Sequence, residues 1–361
     1  MTTVARFQIE FVRFLNPEGE AVQALPGFAR DPAALIEIYG AMVLTRSFDA
    51  RAIALQRTGK LGTFASCLGQ EAVAVGVASA MRAEDLLVPY YRDHGAQLLR
   101  GVKMVESLLY WSGDERGSDF SVARRDFPIC VPIGTQVCHA AGAAYAMKLR
   151  REPRVAVCLL GDGATSKGDF YESLNIAGVW VLPLVVVINN NQWAISVPRR
   201  AQTAAATLAQ KAIAAGIEGI QVDGNDVIAV REQALRALEK ARAGRGPTLI
   251  EAITYRMGDH TTADDATRYR DAEDVARQWQ FDPIARLRNH LVRAGAWSKE
   301  REEALLRECT EAVNQAVEAY LAVPPPGPEM MFDHLYATLP ASLREQRETA
   351  LRFGSSAERH G

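Results

Sequence analysis

Two uninterrupted apolar runs, each ending in polar residues, constrain this chain most. Val155–Leu160 is followed by Gly161-Asp162-Gly163, and Leu184–Ile188 by Asn189-Asn190-Asn191. Continuous valine-rich runs of this length read as strands buried on both faces. A helical stretch, Asp169–Gly178, separates them. Strand, helix and strand joined by a right-handed crossover bring the two C-terminal ends side by side.

The alternation continues in both directions. Asp31-Pro32 opens a helix, with Asp31 as N-cap and proline at the first helical position. Small residues dominate Glu71–Ala80 and Gln136–Arg150, which predicts tightly packed helices. Thr207–Ala215 reads as helix, Gly219–Val222 as strand, Val227–Ala243 as helix and Thr248–Tyr255 as strand. Asp282 to about Ala322 reads as helical and amphipathic. The fold class is therefore α/β, a parallel sheet covered by helices on both faces, with a helical C-terminal region. Residues 1–35 read as an N-terminal arm, 36–322 as the α/β domain with its helical part, and 323–361 as a break and tail. The break is Pro324-Pro325-Pro326-Gly327-Pro328, and residues 354–361 read as a mobile end.

Composition excludes several functions. The chain has 361 residues, a formal charge of −2 and no basic block, so nothing favours nucleic acid. The longest apolar stretch, Val179–Ile188, is far short of a membrane span. Cys67, Cys130, Cys138, Cys158 and Cys309 are odd in number and form no C-x-x-C, which predicts a reduced, cytoplasmic setting without structural zinc. Met1–Glu20 resembles neither a secretory signal nor a transit peptide.

The strand ends carry the chemistry. In an open parallel sheet, ligands bind beyond the C-terminal strand ends. Mg2+ takes oxygen ligands in octahedral array and commonly shares them with phosphate. Asp162 offers a carboxylate, Asn191 an amide oxygen, and the backbone near Trp193 a carbonyl. Gly161 and Gly163 let the backbone come close to phosphates, whose charge suits the next helix N-terminus. Asp162 alone also reads as a helix cap, and the asparagines alone as turn formers. The pair, about 30 residues apart on consecutive strand ends, is more specific than either half. The Walker pattern is absent, and Ser166 stands where a dinucleotide fingerprint needs its third glycine.

These residues resemble the thiamine diphosphate motif. Gly161–Asn175 and Asn190–Ser196 are similar to alpha subunits of heterotetrameric 2-oxo acid dehydrogenases, the decarboxylating components of the pyruvate and branched-chain complexes. The resemblance runs from about Ile36 to Glu345. It takes in Gly69-Gln70-Glu71, Tyr91-Arg92-Asp93, Gly219–Gly224, Gly246–Glu251, Tyr255-Arg256 and His260–Asp265 through Arg270.

That resemblance implies a thiamine diphosphate-binding fold and a role for each matched residue. Asp162, Asn191 and the Trp193 carbonyl would hold Mg2+. Gly161, Gly163, Ala164, Tyr91, Arg92, Ile195 and His260 would contact the cofactor. Arg256 and His260, on a loop ordered by Asp264, would be the catalytic side chains. Val131–Gln136 resembles a K+-holding segment, with Thr135 and Gln136 retained, and leaves K+ binding open. Asn189 stands where branched-chain relatives often carry arginine or another polar residue. The glutamate that starts cofactor activation belongs to the beta subunit in such enzymes. Glu71, which follows Gly69-Gln70, reads equally as a helix-packing residue.

The implied protein is half of an alpha2-beta2 tetramer that decarboxylates pyruvate and acetylates the lipoyl domain of a dihydrolipoyl transacylase. A branched-chain substrate, 2-oxoisovalerate, is the alternative. Two other classes fit less of the pattern: a Mg2+-dependent phosphate-ester hydrolase using Asp162 with Asp264-Asp265, and a scaffold that binds no cofactor.

Overall fold

The computed structural model describes residues 1–333 and 335–354. Its strands are β1 (Phe11–Val12), β2 (Leu86–Val88), β3 (Ala156–Gly161), β4 (Leu184–Asn190), β5 (Trp193–Ala194), β6 (Val197–Pro198), β7 (Glu218–Asp223) and β8 (Thr248–Ile253). Six of them form one sheet in the order β1-β7-β8-β4-β3-β2, and every neighbouring pair is parallel. β5 and β6 make a separate antiparallel hairpin. The expected crossover is present: β3 and β4 pair directly, with Gly161 opposite Asn189.

Period-two packing explains why the two central runs are wholly apolar. Val157 and Leu159 of β3, with Val185 and Val187 of β4, face one core, packed with Val73, Val77, Val230 and Ala234 of helices Glu71–Ala80 and Val227–Arg242. Cys158, Leu160, Val186 and Ile188 face the other, packed with Ala140, Ala144, Phe170 and Leu174 of helices Thr135–Leu149 and Gly168–Val179. Each alternate position thus needs an apolar side chain, and neither face reaches water. The small-residue helix Glu71–Ala80 has a steric cause: a Cβ on Gly76 would lie 2.8 Å from Val230 Cγ1.

The first long helix, Pro32–Arg57, starts as expected, with Asp31 Oδ1 accepting from the Ala33 amide at 2.9 Å. Such a cap is worth ~1 kcal/mol. Three readings change. The segment read as an arm supplies edge strand β1, and the amides of Phe14 and Leu15 donate to Asp226 at 2.6 and 2.8 Å. The Thr207–Ala215 helix shrinks to Lys211–Ala214, because the Leu208 and Ala209 amides are taken by the buried Glu251 carboxylate at 2.8 and 3.0 Å. The Asp282–Ala322 stretch is two helices, Pro283–Arg293 and Lys299–Leu321, parted around Gly295.

The chain divides into two compact units, residues 1–317 and a second beginning at Glu318. The sheet and the site lie in the first. In the second, helix Ala341–Gly354 carries Arg347, paired with Asp333 at 3.3 Å. The expected mobile end lies, past Gly354, outside the described residues. No helix among the described residues is long and apolar enough to cross a membrane.

Candidate active site

Four adjacent strands, β2, β3, β4 and β8, run their C-terminal ends into one edge of the sheet. The residues just past those ends are Tyr90-Tyr91-Arg92, Asp162, Asn191 and Thr254-Tyr255-Arg256. Above them opens a cleft lined by Tyr91, Arg92, Ile133, Gln136, Gly161–Ala164, Asn191, Trp193–Ile195 and His260, among others. Every residue expected to contact the cofactor or Mg2+ is therefore on one wall or another of a single cleft. Arg256, expected as a catalytic side chain, sits behind the lining.

The floor is rigid. Asp162 is 1 % exposed, and Gln202 Nε2 donates to its Oδ2 at 2.6 Å. Burial raises its carboxyl above the ordinary range, against the pull of that hydrogen bond. A cation beside it would reverse the shift. Gly163 lies against the hairpin, where a Cβ would meet Ala194 Cβ at 2.7 Å. At Gly161 a Cβ would find nothing nearer than Tyr90 at 3.9 Å, so it would project into the open cleft. A bare backbone at both positions makes a cradle for a ligand that approaches the main chain closely.

The three asparagines separate by role. Only Asn191 lines the cleft. Its Nδ2 donates to Gln70 Oε1 at 2.9 Å, and its Oδ1 accepts from the Trp193 amide at 3.2 Å. Asn189 is consumed inside the protein: Nδ2 donates to Tyr90 at 3.0 Å and Oδ1 accepts from Thr254 at 2.6 Å. Asn190 turns away and donates to Glu251 at 2.7 Å. Trp193 pairs with Pro198, which has no N–H to give the Trp193 carbonyl.

Ile195 occupies the first loop position of the two-residue turn between β5 and β6, at φ +53°. A β-branched residue there is strained, and glycine is the usual occupant. Its carbonyl is held by Arg256 Nη2 at 2.9 Å, and its side chain is 56 % exposed on the cleft wall. Strain retained for an exposed apolar side chain inside a cleft makes Ile195 a candidate functional position.

The roof is polar. Arg92, 3 % exposed, donates through Nη1 to the Ser66 carbonyl at 2.6 Å. Its Nη2 reaches the His260 carbonyl at 2.6 Å and His260 Nδ1 at 3.0 Å. Guanidinium only donates, so Nδ1 must accept, which leaves the His260 proton on Nε2. Burial, together with Arg92 and Arg256, pushes His260 down to about 4, so it is neutral near pH 7. Asp264 accepts from the His260 amide at 2.9 Å and from the Tyr269 hydroxyl. Tyr269 in turn accepts from Arg256 at 2.7 Å, and Arg270 binds the carbonyls of Arg256, Met257 and Gly258. Arg256 is 1 % exposed, and its Nε and Nη1 have no partner among the described residues. Two unpartnered nitrogens on a buried cation call for an anion or water.

Sequence reasoning missed three contributors. Gln70 stood within a quoted motif without a role, Gln202 had no signal, and Tyr269 gained importance only through its two bonded neighbours. Gln136 is 1 % exposed, its Oε1 has no partner among the described residues, and it lines the cleft with Gly134. Glu71 is fully buried and paired with Arg46 at 2.7 Å, away from the lining. Among the described residues lining the cleft, Asp162 is the only acid. No group of three His, Cys, Asp or Glu able to hold a metal occurs among the described residues. A metal bound here would depend on oxygens brought by its ligand.

The class defined by this fold and site is a parallel α/β protein whose cleft suits a divalent cation together with a phosphorylated ligand. Comparison with known proteins narrows the class. The sequence matches the family described as "Dehydrogenase E1 component" over residues 39–329. It is 43 % identical over 342 residues to the 3-methyl-2-oxobutanoate dehydrogenase subunit alpha of Mycobacterium tuberculosis (strain CDC 1551 / Oshkosh), covering 94 % of this chain and 93 % of that one. It is 43 % identical over 325 residues to the pyruvate dehydrogenase E1 component subunit alpha of Acholeplasma laidlawii, covering 88 % and 93 %. The corresponding Bacillus cereus subunit is 41 % identical over 345 residues, covering 94 % and 92 %. The chain belongs to the dehydrogenase E1 component family, as an alpha subunit of the 2-oxo acid dehydrogenase type.

Proposed function

We propose that this chain holds the Mg2+-diphosphate end of thiamine diphosphate and, with a beta subunit in an alpha2-beta2 tetramer, decarboxylates pyruvate in the cytoplasm. The carrying observation is the pair on adjacent strand ends: one buried carboxylate, Asp162, and one oriented amide, Asn191, over a floor of bare backbone. One carboxylate and two neutral oxygens suit a Mg2+ that takes its remaining ligands from phosphate and water.

The residues present fit that group. Asp162, Asn191 Oδ1 and the Trp193 carbonyl would hold the cation. Gly161, Gly163 and Ala164 would bring backbone to the diphosphate, and Tyr91 and Arg92 would reach it from the facing wall. Arg256, behind the lining, would act through the wall by holding the Ile195 carbonyl. Ile195 would present an apolar surface, and Gln136 Oε1 with Thr135 would supply oxygens to K+. When bound, the cofactor supplies an electron sink for the bond that breaks as CO2 leaves.

The chain's own catalytic contribution is proton placement. His260 is neutral, and Arg92 holds its proton on Nε2, a donor for charge developing in the cleft. Among the described residues the cleft has no carboxylate besides Asp162, which supports a cofactor-activating group supplied by the beta subunit. The product acetyl group passes to the lipoyl domain of the transacylase. A hydrolase reading loses support because the Asp264 and Asp265 carboxylates are spent on the roof and on Thr267, off the cleft lining.

Pyruvate is the first reading, from the segment Gly161–Asn175. The branched-chain alternative is favoured by Val131–Gln136 and by the name of the Mycobacterium tuberculosis relative. Turnover of both acids by the co-expressed tetramer decides between them. A kcat/KM at least about tenfold higher for pyruvate is expected, the scale of a ~1–3 kcal/mol pocket discrimination. A preference for 3-methyl-2-oxobutanoate replaces the substrate, and turnover of neither overturns the reading.

A further inference from the structure

We infer that Gln70 is a positioning residue that sets which end of the Asn191 amide faces the cation; this rests on the Mg2+-diphosphate reading of the cleft. An asparagine amide has an oxygen that binds a cation and an NH2 that repels it, and the two have nearly the same shape. An asparagine ligand therefore works only if its flip is fixed.

Two bonds fix it here. The Trp193 amide can only donate, and it lies 3.2 Å from Asn191 Oδ1. Gln70 Oε1 can only accept, and it lies 2.9 Å from Asn191 Nδ2. The longer contact is the weaker one, so most of the discrimination comes from Gln70.

Gln70 is itself held. Its Oε1 also accepts from Asn189 Nδ2 at 3.2 Å, and Asn189 is tied to Tyr90 and Thr254. The next residue, Glu71, is clamped by Arg46 at 2.7 Å. Gln70 is 1 % exposed and absent from the cleft lining, so it acts through Asn191 and touches nothing bound in the cleft.

One feature separates this role from ordinary structural support. Gln70 Nε2 is buried without a partner among the described residues. An unpaired buried N–H group weakens a fold, and replacement by an apolar group of similar shape relieves that loss. Methionine at position 70 exchanges that unpaired group for another, the freed Asn191 Nδ2, so for the fold alone it is tolerable. For the orientation of Asn191 it is not, because no acceptor remains and the flipped amide becomes accessible.

The test uses the co-expressed alpha2-beta2 tetramer carrying Gln70→Met or Gln70→Glu. Mg2+ is titrated at fixed thiamine diphosphate, followed by tryptophan fluorescence, since Trp193 lines the cleft, and thermal melting is recorded without Mg2+. Gln70→Met is expected to raise the Mg2+ concentration at half-saturation by about 10–100-fold, the range for partners that orient a metal ligand. Its melting temperature in the absence of Mg2+ should stay within a few degrees of wild type. Gln70→Glu, which keeps an acceptor, should stay within about threefold of wild type in Mg2+ requirement. Wild-type Mg2+ affinity in Gln70→Met, or equal losses in both variants, overturns the inference and leaves the function standing. If the wild-type tetramer shows no Mg2+-dependent binding of thiamine diphosphate, the functional reading fails first and this one falls with it. If the Gln70→Met tetramer does not assemble, Gln70→Leu, which also lacks an acceptor, takes its place and is read by the same limits.

Discussion

Asp162 and Asn191 sit at the ends of strands buried along almost their whole length, whereas Arg92, Arg256 and His260 are held above them by bonds to carbonyls and hydroxyls from distant segments. The floor is placed by apolar packing, which has no alternative arrangement short of unfolding. The roof is placed by directional bonds, most of them partly exposed, which can open locally. The difference teaches how the work would divide in the proposed function: the floor would fix a cation and diphosphate, and the roof would position a proton donor over them.

The sharpest way to break the comparison is at the floor. Asp162→Ala in the tetramer removes the only acid among the described residues that line the cleft. Cofactor affinity measured by calorimetry with Mg2+ should fall by more than the ~10–100-fold typical of outer-shell changes. Unchanged affinity would remove Asp162 from the ligand set.

A smaller, steric effect is expected at Gly163→Ala, whose new Cβ would lie 2.7 Å from Ala194 Cβ. Overpacking of that kind costs ~1–3 kcal/mol. Melting temperature and cofactor affinity should fall together; a variant that loses neither would mean that the β5–β6 hairpin yields easily.

Roof changes should be local. Tyr269→Phe deletes the hydroxyl shared by Asp264 and Arg256, at ~1 kcal/mol per bond. Hydrogen exchange across residues 258–270 should quicken while β3 and β4 stay protected. Faster exchange in the strands as well would show that floor and roof are one cooperative unit.

The smallest effect is on pH. His260 titrates near 6.5 when unfolded and is pushed to about 4 in the folded chain. The folded state therefore binds fewer protons between those values, and its stability drops as pH falls from 6.5 towards 4. Imidazole NMR of wild type against His260→Gln checks this, and a folded value at or above 6.5 would contradict the burial account.

The same division explains what could be read from sequence. Val155–Leu160 and Leu184–Ile188 announced parallel strands because burial on both faces leaves no room for polar residues, and Asp162 and Asn191 followed as their terminal polar groups. The edge strand Phe11–Val12 was hidden, being too short for any period to show and placed by pairing with residues over 200 positions away. The roof was legible only through family resemblance. Spacing does not reveal that Tyr269 joins Asp264 to Arg256, that Gln202 reaches Asp162, or that Ile195 carries a strained turn, since each depends on where separate segments meet. The resemblance placed Arg256 among the catalytic side chains; the structure sets it behind the lining, holding the Ile195 carbonyl.

Turnover of pyruvate by the separately purified alpha chain, by the beta chain and by their recombined tetramer tests the central claim most directly. If this chain is the diphosphate half of an enzyme, only the tetramer decarboxylates pyruvate, and it does so only with Mg2+ and thiamine diphosphate. Turnover by the alpha chain alone at the tetramer's rate would contradict it, because the activating group would then lie in this chain.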